Sequence, residues 1–188
     1  MLSDRFSEAL RFAEAAHRAQ RRKGTDIPYV AHLLAVAGLV LENGGDEDQA
    51  IAGLLHDAVE DQGGAAMAEA IRARFGDRVA GIVLACTDAD TLPKPPWRAR
   101  KEAYLRALAT KREDALIVVA ADKVHNATAI LEDHRALGEA IWSRFNGGRE
   151  GTLWYYRSLA EALAARLPGP LSARLARIVA DLEAAATA

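Results

Sequence analysis

The sequence predicts an all-α fold, and three observations lead to this prediction. Alanine, leucine, arginine and glutamate, which favour helices, dominate the chain. β-branched residues are sparse outside residues 115–119, and apolar residues recur at intervals of three and four along most of the sequence. The 188 residues are 51% apolar and 27% charged. This composition suits one hydrophobic core, so we expect a single domain over residues 1–188.

The periodicity predicts roughly 8–10 helices, separated by residues that end or begin helices. Lys23–Pro28 separates the first two helices, Asn43–Asp46 offers a helix-ending glycine followed by an Asp cap, and Leu167–Pro170 precedes the last helix. The last helix, in residues 170–188, has an apolar stripe that we expect to pack on the body of the domain, with a dimer contact as the alternative. The predicted helices cover about 3–20, 29–43, 47–60, 66–75, 78–88, 97–109, 113–132, 137–146, 150–166 and 170–186.

The charge balance restricts the partners of the protein. A net charge of -2 and a pI near 6.2 predict no general attraction to nucleic acid or to an anionic membrane, so any anion must bind at local basic clusters. The sequence has neither a signal peptide nor an apolar run long enough to span a membrane, which predicts a cytoplasmic protein. The single cysteine, Cys86, excludes an internal disulfide. A homo-oligomer is compatible with the sequence.

Residues 54–61, which read LLHDAVED, carry a histidine and three acids in a short stretch. On a helical wheel, His56 pairs with Glu60 and Asp57 pairs with Asp61 at a spacing of four residues. One turn earlier the polar side is made of small residues, which indicates close approach of another element. Three neighbouring carboxylates repel one another and favour a compensating cation. This helix alone supports two interpretations about equally: a metal or catalytic site, and a solvated acidic face.

Two further residues stand out on apolar helices. His32 lies on an apolar stripe, where a histidine alone is more often a core residue bonded to the backbone. Asp122 follows the apolar run 115–121, where an unpaired charge is costly, and Asn126 lies one turn later on the same face. Together with His56 and Asp57, His32 and Asp122 form a chemically sensible ligand set for a divalent metal. Four protein ligands leave coordination positions for water and a substrate oxygen.

A series of motifs occurs in a fixed order along roughly residues 8–160. It comprises Phe12-Ala13 with His17, Gln20 and Arg21–Gly24; Pro28–His32 with Val36-Ala37; Leu54–Asp57 with Glu60-Asp61; Phe75-Gly76 and Val79; Thr87-Asp88; Leu92–Lys94; and Ala121–Lys123 with Asn126. In this combination the sequence resembles the HD-domain metal-dependent phosphohydrolases. More narrowly, it resembles the hydrolase domain of the Rel/Spo alarmone enzymes and the small stand-alone alarmone hydrolases. The resemblance implies a helical HD-domain fold.

The resemblance also implies an activity and a set of site residues. The activity is that of a guanosine-3′,5′-bis(diphosphate) 3′-pyrophosphohydrolase, which converts ppGpp to GDP and pyrophosphate. The implied ligands of one Mn²⁺ are His32, His56, Asp57 and Asp122, and Glu60 and Asp61 are implied to orient and activate the attacking water. Arg22 and Lys23 are assigned to the scissile phosphate region, and Lys94 and Asn126 to the nucleotide and its phosphates. A basic patch of Lys94, Arg98, Arg100 and Lys101 suits the 5′ phosphates, and a solvated helix start is an equally good interpretation of Arg98, Arg100 and Lys101 individually.

The sequence departs from the family pattern at several positions. Gln62 stands where the family usually has Thr, Leu33 stands where Pro commonly follows the ligand histidine, and residues 93–97 and 146–151 are unusual. The last two departures bear on the identity of the nucleotide more than on the metal. Two alternatives therefore stand beside the alarmone hydrolase: an HD-domain phosphohydrolase for another nucleotide or a phosphorylated dinucleotide, and a metal- or nucleotide-binding module without turnover. Glu60 and Asp61 disfavour the binding module.

Overall fold

The computed structural model describes residues 1–88 and 95–187, and its regular secondary structure is helical throughout these ranges. The all-α prediction is thereby confirmed. A single antiparallel bridge between Arg21 and Pro28 is the β-type pairing found in the described residues. The α-helices are α1 (Asp4–His17), α2 (Val30–Glu42), α3 (Glu47–Leu55), α4 (Gly64–Phe75), α5 (Asp77–Cys86), α6 (Trp97–Leu108), α7 (Glu113–Leu137), α8 (Gly148–Arg166) and α9 (Pro170–Thr187). A π-helical turn (Val59–Gly63) and a 3₁₀ helix (Gly138–Arg144) accompany them.

The described residues form two compact units, and the division falls within α7. The first unit contains residues 1–88 and 111–121, and the second contains residues 95–110 and 122–187. Each unit has its own buried apolar residues. The assignment of residues 1–188 to a single domain stays a prediction.

In the first unit, α3 packs against α1, α2 and α5. Its buried side chains include Ile51, Leu54 and Leu55. The backbones of α2 and α3 approach closely at Gly53, where an added Cβ would lie 3.1 Å from the Cα of Ala37. A larger residue at position 53 would push these helices apart. The small residues on the polar side of α3 therefore mark the close approach that the sequence indicates.

The start of α3 has the capping chemistry that the sequence predicts. Gly44 adopts a φ of 84°, a left-handed conformation that favours glycine, just after α2 ends. The Asp46 carboxylate accepts the backbone N–H of Gln49 at 3.0 Å, and the Gln49 side chain accepts the backbone N–H of Asp46 at 2.9 Å. This reciprocal capping box is worth about 1 kcal/mol to a helix. It fixes where α3 begins, nine residues before His56.

Two predicted helices differ from the structure. The helix predicted over 47–60 ends at Leu55 and gives way to the π-helical turn, in which the Gly64 N–H donates to the Val59 carbonyl five residues earlier. Because a π-turn is wider than an α-turn, the ideal helical wheel does not describe residues 56–61. The helix predicted over 137–146 is a 3₁₀ helix that begins at Gly138, whose φ of 59° ends α7 at the preceding residue.

In the second unit, α8 packs against α6 and α9. The apolar stripe of α9 is buried, with Leu171, Leu175, Val179 and Leu182. Of the aromatic residues at the start of α8, Tyr155 and Tyr156 are buried, whereas Trp154 is half-buried and contacts Trp97 edge-on. Along 1–88 and 95–187, we find no helix with the length and apolar character that crossing a membrane requires.

Candidate metal centre and catalytic acids

The packing of α2 against α3 brings two histidine rings together. The Nε2 atoms of His32 and His56 are 3.3 Å apart, and both side chains are buried. Asp57 follows directly, and its Oδ2 lies 3.0 Å from Nε2 of His56 and 3.5 Å from Nε2 of His32. One ligand atom from each residue lies within 4.8 Å of the others. Such convergence of imidazole nitrogens and a carboxylate oxygen suits a divalent cation.

The backbone sets the tautomer of His56. Its Nδ1 lies 2.9 Å from the carbonyl oxygen of Gly53. Since a carbonyl only accepts hydrogen bonds, Nδ1 must carry the proton, and Nε2 of the neutral ring then carries a lone pair. This lone pair faces His32 and Asp57. A backbone hydrogen bond on the far ring nitrogen is the usual arrangement for a metal-binding histidine.

Tyr29 holds Asp57, and sequence reasoning gave it no role. Its hydroxyl donates to Oδ2 of Asp57 at 2.6 Å, and its ring packs edge-on against His32 with the centroids 5.5 Å apart. Tyr29 is the residue just before α2, three positions before His32. Tyr29 shares a helical face with His32, but a tyrosine at the start of an apolar helix is ordinary, so the sequence alone carries no signal for this role.

Glu60 and Asp61 lie in the π-helical turn and accept hydrogen bonds from different elements. Oε2 of Glu60 accepts the backbone N–H of Asp88 at 3.1 Å, just after α5. Oδ2 of Asp61 accepts the side-chain amide of Gln20 at 2.9 Å. Glu60 is half-buried and Asp61 is exposed. Each carboxylate is thus held by a neutral donor within the first unit.

The residues assigned to the phosphates lie in the segment between α1 and α2. The guanidinium carbon of Arg22 lies 5.8 Å from the centroid of the Tyr29 ring, which brings this cation near the side chain that holds Asp57. Lys23, the next residue, is exposed. Lys94 lies outside the described residues. The roles of these three cations stay predictions.

Asp122 and Asn126 belong to the second unit, on α7. The buried Asp122 carboxylate pairs with Nζ of Lys123 at 2.6 Å and accepts a hydrogen bond from the Asn126 amide. Burial opposes the charge of Lys123, but the Asp122 carboxylate and the neighbouring tyrosine hydroxyls raise the pKa of Lys123 well above its ordinary value. Lys123 and Asp122 therefore form a charged pair. The roles of Asp122 as a metal ligand and of Asn126 in nucleotide binding stay predictions.

The basic residues of α6 contact aromatic rings of α8. The guanidinium carbon of Arg98 lies 3.3 Å from the centroid of the Trp154 ring, and Nζ of Lys101 lies 4.8 Å from that of Tyr155. Arg98 also pairs with Glu102 at 2.8 Å. These contacts order the cations along one face of α6.

A helical fold with paired histidines, an adjacent aspartate and further acids one turn later defines a class of metal-dependent hydrolase domains. The family model of the HD domain matches residues 9–153, and the chain belongs to this family. The family resemblance seen in the sequence is thereby confirmed. The matched residues include the two histidines, Asp57, Glu60 and Asp61, and also Asp122 and Asn126.

Within this family, the chain is similar to several proteins that are named as ppGpp hydrolases. Guanosine-3′,5′-bis(diphosphate) 3′-pyrophosphohydrolase MESH1 of Xenopus tropicalis is 39% identical over 139 residues, which make up 72% of this chain and 73% of the frog protein. A probable guanosine-3′,5′-bis(diphosphate) 3′-pyrophosphohydrolase of Synechocystis is 37% identical over 118 residues, but these make up only 15% of that longer protein. The solved structure of a metazoan SpoT ortholog, described as hydrolysing ppGpp, matches with a TM-score of 0.77 and 29% identity over 95% of both chains.

Proposed function

We propose that this chain is a guanosine-3′,5′-bis(diphosphate) 3′-pyrophosphohydrolase, which converts ppGpp to GDP and pyrophosphate. The observation that carries the proposal is the similarity to the Xenopus hydrolase, which is 39% identical over 72% of this chain. The local chemistry agrees with it. Within residues 9–153, where the HD-domain model matches, three metal-binding side chains converge and two further acids follow in the adjoining turn.

The residues that would hold the metal are His32, His56 and Asp57, with Asp122 as the fourth ligand. The donor set fits a divalent ion, because neutral imidazoles combine with carboxylates that offset a 2+ charge. We propose Mn²⁺ as this ion. When bound, a divalent ion supplies a Lewis acid that polarises phosphoryl oxygens and lowers the pKa of water.

The side chains of the π-helical turn would act on the attacking water. Glu60 accepts a proton from this water, and its hydrogen bond from the Asp88 N–H keeps the carboxylate fixed. Asp61 orients the same water. The water oxygen then bonds to the phosphorus attached to the 3′ oxygen. The bond between that phosphorus and the 3′ oxygen breaks and pyrophosphate leaves. The 3′ oxygen takes up a proton from solvent to become the hydroxyl of GDP, and Glu60 returns its proton to solvent.

Cations and amides of the chain would bind the charged substrate. Arg22 and Lys23 stabilise the negative charge that develops at the scissile phosphate. Lys94 and Asn126 bind the nucleotide and its remaining phosphates. The half-buried position of Arg22 beside Tyr29 supports its role, because it places a guanidinium group close to the hydrogen-bonded Asp57.

The test is a product analysis with the metal-stripped protein. The protein is incubated with ppGpp and Mn²⁺, and GDP and pyrophosphate are separated by anion-exchange chromatography. We expect both products in equal amounts with Mn²⁺ and none in the presence of EDTA. Release of phosphate from other nucleotides, with ppGpp left intact, would instead identify an HD-domain phosphohydrolase for a different substrate. Binding of ppGpp without any product would identify a non-catalytic module.

A further inference from the structure

Gln20 makes hydrogen bonds through both ends of its side-chain amide. Its Nε2 donates to Oδ2 of Asp61 at 2.9 Å. Its Oε1 lies 2.6 Å from Nδ1 of His17 and 2.6 Å from Nε2 of Gln62. These residues come from the end of α1, the segment that follows it and the π-helical turn. Asp61 and Gln62 are 41 and 42 residues from Gln20 in sequence, whereas His17 is three residues away.

The chemistry of the partners fixes the orientation of the Gln20 amide. The ionised Asp61 carboxylate can only accept, so the NH₂ group of Gln20 must face it. The amide oxygen of Gln20 then faces His17 and Gln62, and both of these must donate. For His17 this means that the proton is on Nδ1. The arrangement is therefore consistent in one orientation only, in which Gln20 donates to Asp61.

His17 connects this network with the other side of the site. Its ring is buried and stacks on the ring of Tyr29, with the centroids 5.2 Å apart and the planes 18° apart. Tyr29 in turn donates to Asp57. Nε2 of His17 is buried and makes no hydrogen bond within the described residues. In the described residues, the His17 ring therefore makes its hydrogen bond through Nδ1, to the amide oxygen of Gln20.

Gln62 supports Gln20 with a contact that the family's usual residue cannot make in the same way. The family usually has Thr at this position, and a threonine hydroxyl is attached to Cβ. The amide nitrogen of glutamine is two carbon atoms farther from the backbone, and this length lets it reach Oε1 of Gln20. The departure at Gln62 thus has a structural consequence. It adds a second donor to the oxygen of the amide that holds Asp61.

We propose that Gln20 is a positioning residue for Asp61, with His17 and Gln62 fixing the Gln20 amide. The proposal rests on the proposed function, because it assigns Asp61 a task on the attacking water. Holding Oδ2 of Asp61 from the Gln20 amide limits the rotation of the carboxylate and so fixes its orientation towards the water. A neutral amide does this without cancelling the negative charge that the site uses.

The test is the steady-state kinetics of ppGpp hydrolysis in Mn²⁺ for Gln20→Glu and Gln20→Met. Glu keeps an acceptor oxygen for His17 and Gln62 but replaces the donor to Asp61, and Met keeps the length of the side chain without either function. We expect kcat to fall about 10- to 100-fold in both variants, as for other residues that orient catalytic groups, with KM and the midpoint of Mn²⁺ titration unchanged. Arg18→Ala, an exposed neighbour that pairs with Glu14, is the matched control and keeps the wild-type kcat.

Two His17 variants separate positioning from packing. In His17→Asn the side-chain amide nitrogen takes the place of Nδ1, whereas in His17→Gln it takes the place of Nε2. We expect His17→Asn to keep more activity than His17→Gln, although Gln fills more of the buried space. Gln62→Thr removes one of two donors and lowers kcat less than Gln20→Glu does.

The outcomes distinguish this proposal from the proposed function. If the wild-type chain does not hydrolyse ppGpp, both fail. If the wild type is active and both Gln20 variants match it, only the positioning role fails. The positioning role also fails if the variants change KM or Mn²⁺ binding as much as kcat, or if His17→Gln is the more active of the two His17 variants.

Discussion

Two groups of acids in the first unit are held in different ways. Asp57, Glu60 and Asp61 accept hydrogen bonds from a phenol, a backbone N–H and a side-chain amide, which are neutral donors. Asp46, Asp48 and Asp114 instead surround the guanidinium group of Arg78, at 2.8, 3.3 and 3.3 Å. Arg5 and Arg112 add further ion pairs to Asp48 and Asp114. We call the second group the Arg78 cluster.

This difference in hydrogen-bond donors shows how an acidic side chain can contribute either to binding or to stability. A guanidinium group fixes a carboxylate and also offsets its charge, so the Arg78 cluster joins the start of α3 to α5 and to the start of α7 at little electrostatic cost. A hydrogen bond from a neutral donor fixes a carboxylate without itself offsetting the negative charge. Acids held by neutral donors should therefore matter for activity, and acids held by arginines should matter for stability.

The largest effect is expected for Asp57→Asn, which keeps the shape of the side chain but removes its charge. We expect ppGpp hydrolysis to fall to background, because the amide is a poor ligand for a divalent ion beside two histidines. Two measurements check this prediction: the rate of ppGpp hydrolysis, and the thermal midpoint of unfolding with and without Mn²⁺. At about 100 times the dissociation constant, Mn²⁺ should stabilise the wild type by about 2.7 kcal/mol and the variant hardly at all.

Asp114→Asn is the matched substitution in the Arg78 cluster. It should keep both the activity and the stabilisation by Mn²⁺. If Asp57→Asn kept its activity and its Mn²⁺-dependent midpoint, the metal centre would have been assigned to the wrong residues.

The next effect is expected for Glu60→Gln. We expect kcat to fall about 10²- to 10⁴-fold, because the amide cannot take a proton from water, while the stabilisation by Mn²⁺ is kept. The amide oxygen of glutamine can still accept the hydrogen bond from the Asp88 N–H, so this contact between the π-helical turn and the end of α5 should remain. The two measurements are initial rates at saturating ppGpp and the Mn²⁺-dependent thermal midpoint. A variant that lost both together would indicate that Glu60 holds the metal rather than the water.

The fold could be predicted from the sequence because its signals are local. Three- and four-residue periodicity identifies the helices, and Gly44 with Asp46 marks the end of α2 and the start of α3. The π-helical turn at Val59–Gly63 could not be predicted in this way. Its sequence is compatible with an α-helix, and periodicity carries no information on whether a backbone N–H bonds four or five residues back.

The candidate site could be predicted as a set of residues but not as a network. His32 and Asp122 attract notice because a polar side chain on an apolar helix is costly, and LLHDAVED does so because its acids repel one another. The donors that hold the acids leave no such trace. Tyr29 meets Asp57 28 residues later, and Gln20 meets Asp61 41 residues later. Neither tyrosine nor glutamine is unusual in its own segment.

A smaller effect is expected when the Arg78 cluster loses its central cation. Arg78→Met should lower the free energy of unfolding by about 1 kcal/mol, because a partly exposed network contributes little more than the sum of a few surface pairs. The kcat for ppGpp should not change. Urea unfolding followed by circular dichroism measures the stability.

Arg135→Met, which removes one exposed ion pair with Glu132, is the control and should lower the free energy of unfolding by only a few tenths of a kcal/mol. A loss of activity in Arg78→Met at full stability would contradict the division between the two groups of acids.

The smallest effect is a difference in pH dependence between the wild type and Arg78→Met. The hydrogen bond from Arg78 lowers the pKa of Asp46, and the hydrogen bond from Arg112 lowers that of Asp114. An unfolded aspartate titrates near about pH 3.9. A folded pKa below this value means that the stabilisation is fully present above about pH 5 and is lost as the pH falls through 3.9 towards the folded pKa.

The unfolding free energies of the wild type and Arg78→Met should therefore differ at neutral pH and converge as the pH falls below about 4. Asp114 keeps its hydrogen bond from Arg112 in the variant, so Asp114 should contribute less than Asp46 to the difference between the two proteins. Arg112→Met provides the complementary measurement, since it removes the largest cause of the low pKa of Asp114 and leaves Asp46 with Arg78. A difference in unfolding free energy between the wild type and Arg78→Met that stayed constant from pH 7 to pH 3 would contradict this prediction. It would mean that Arg78 stabilises the fold by packing its aliphatic chain and not through the charges of the acids around it.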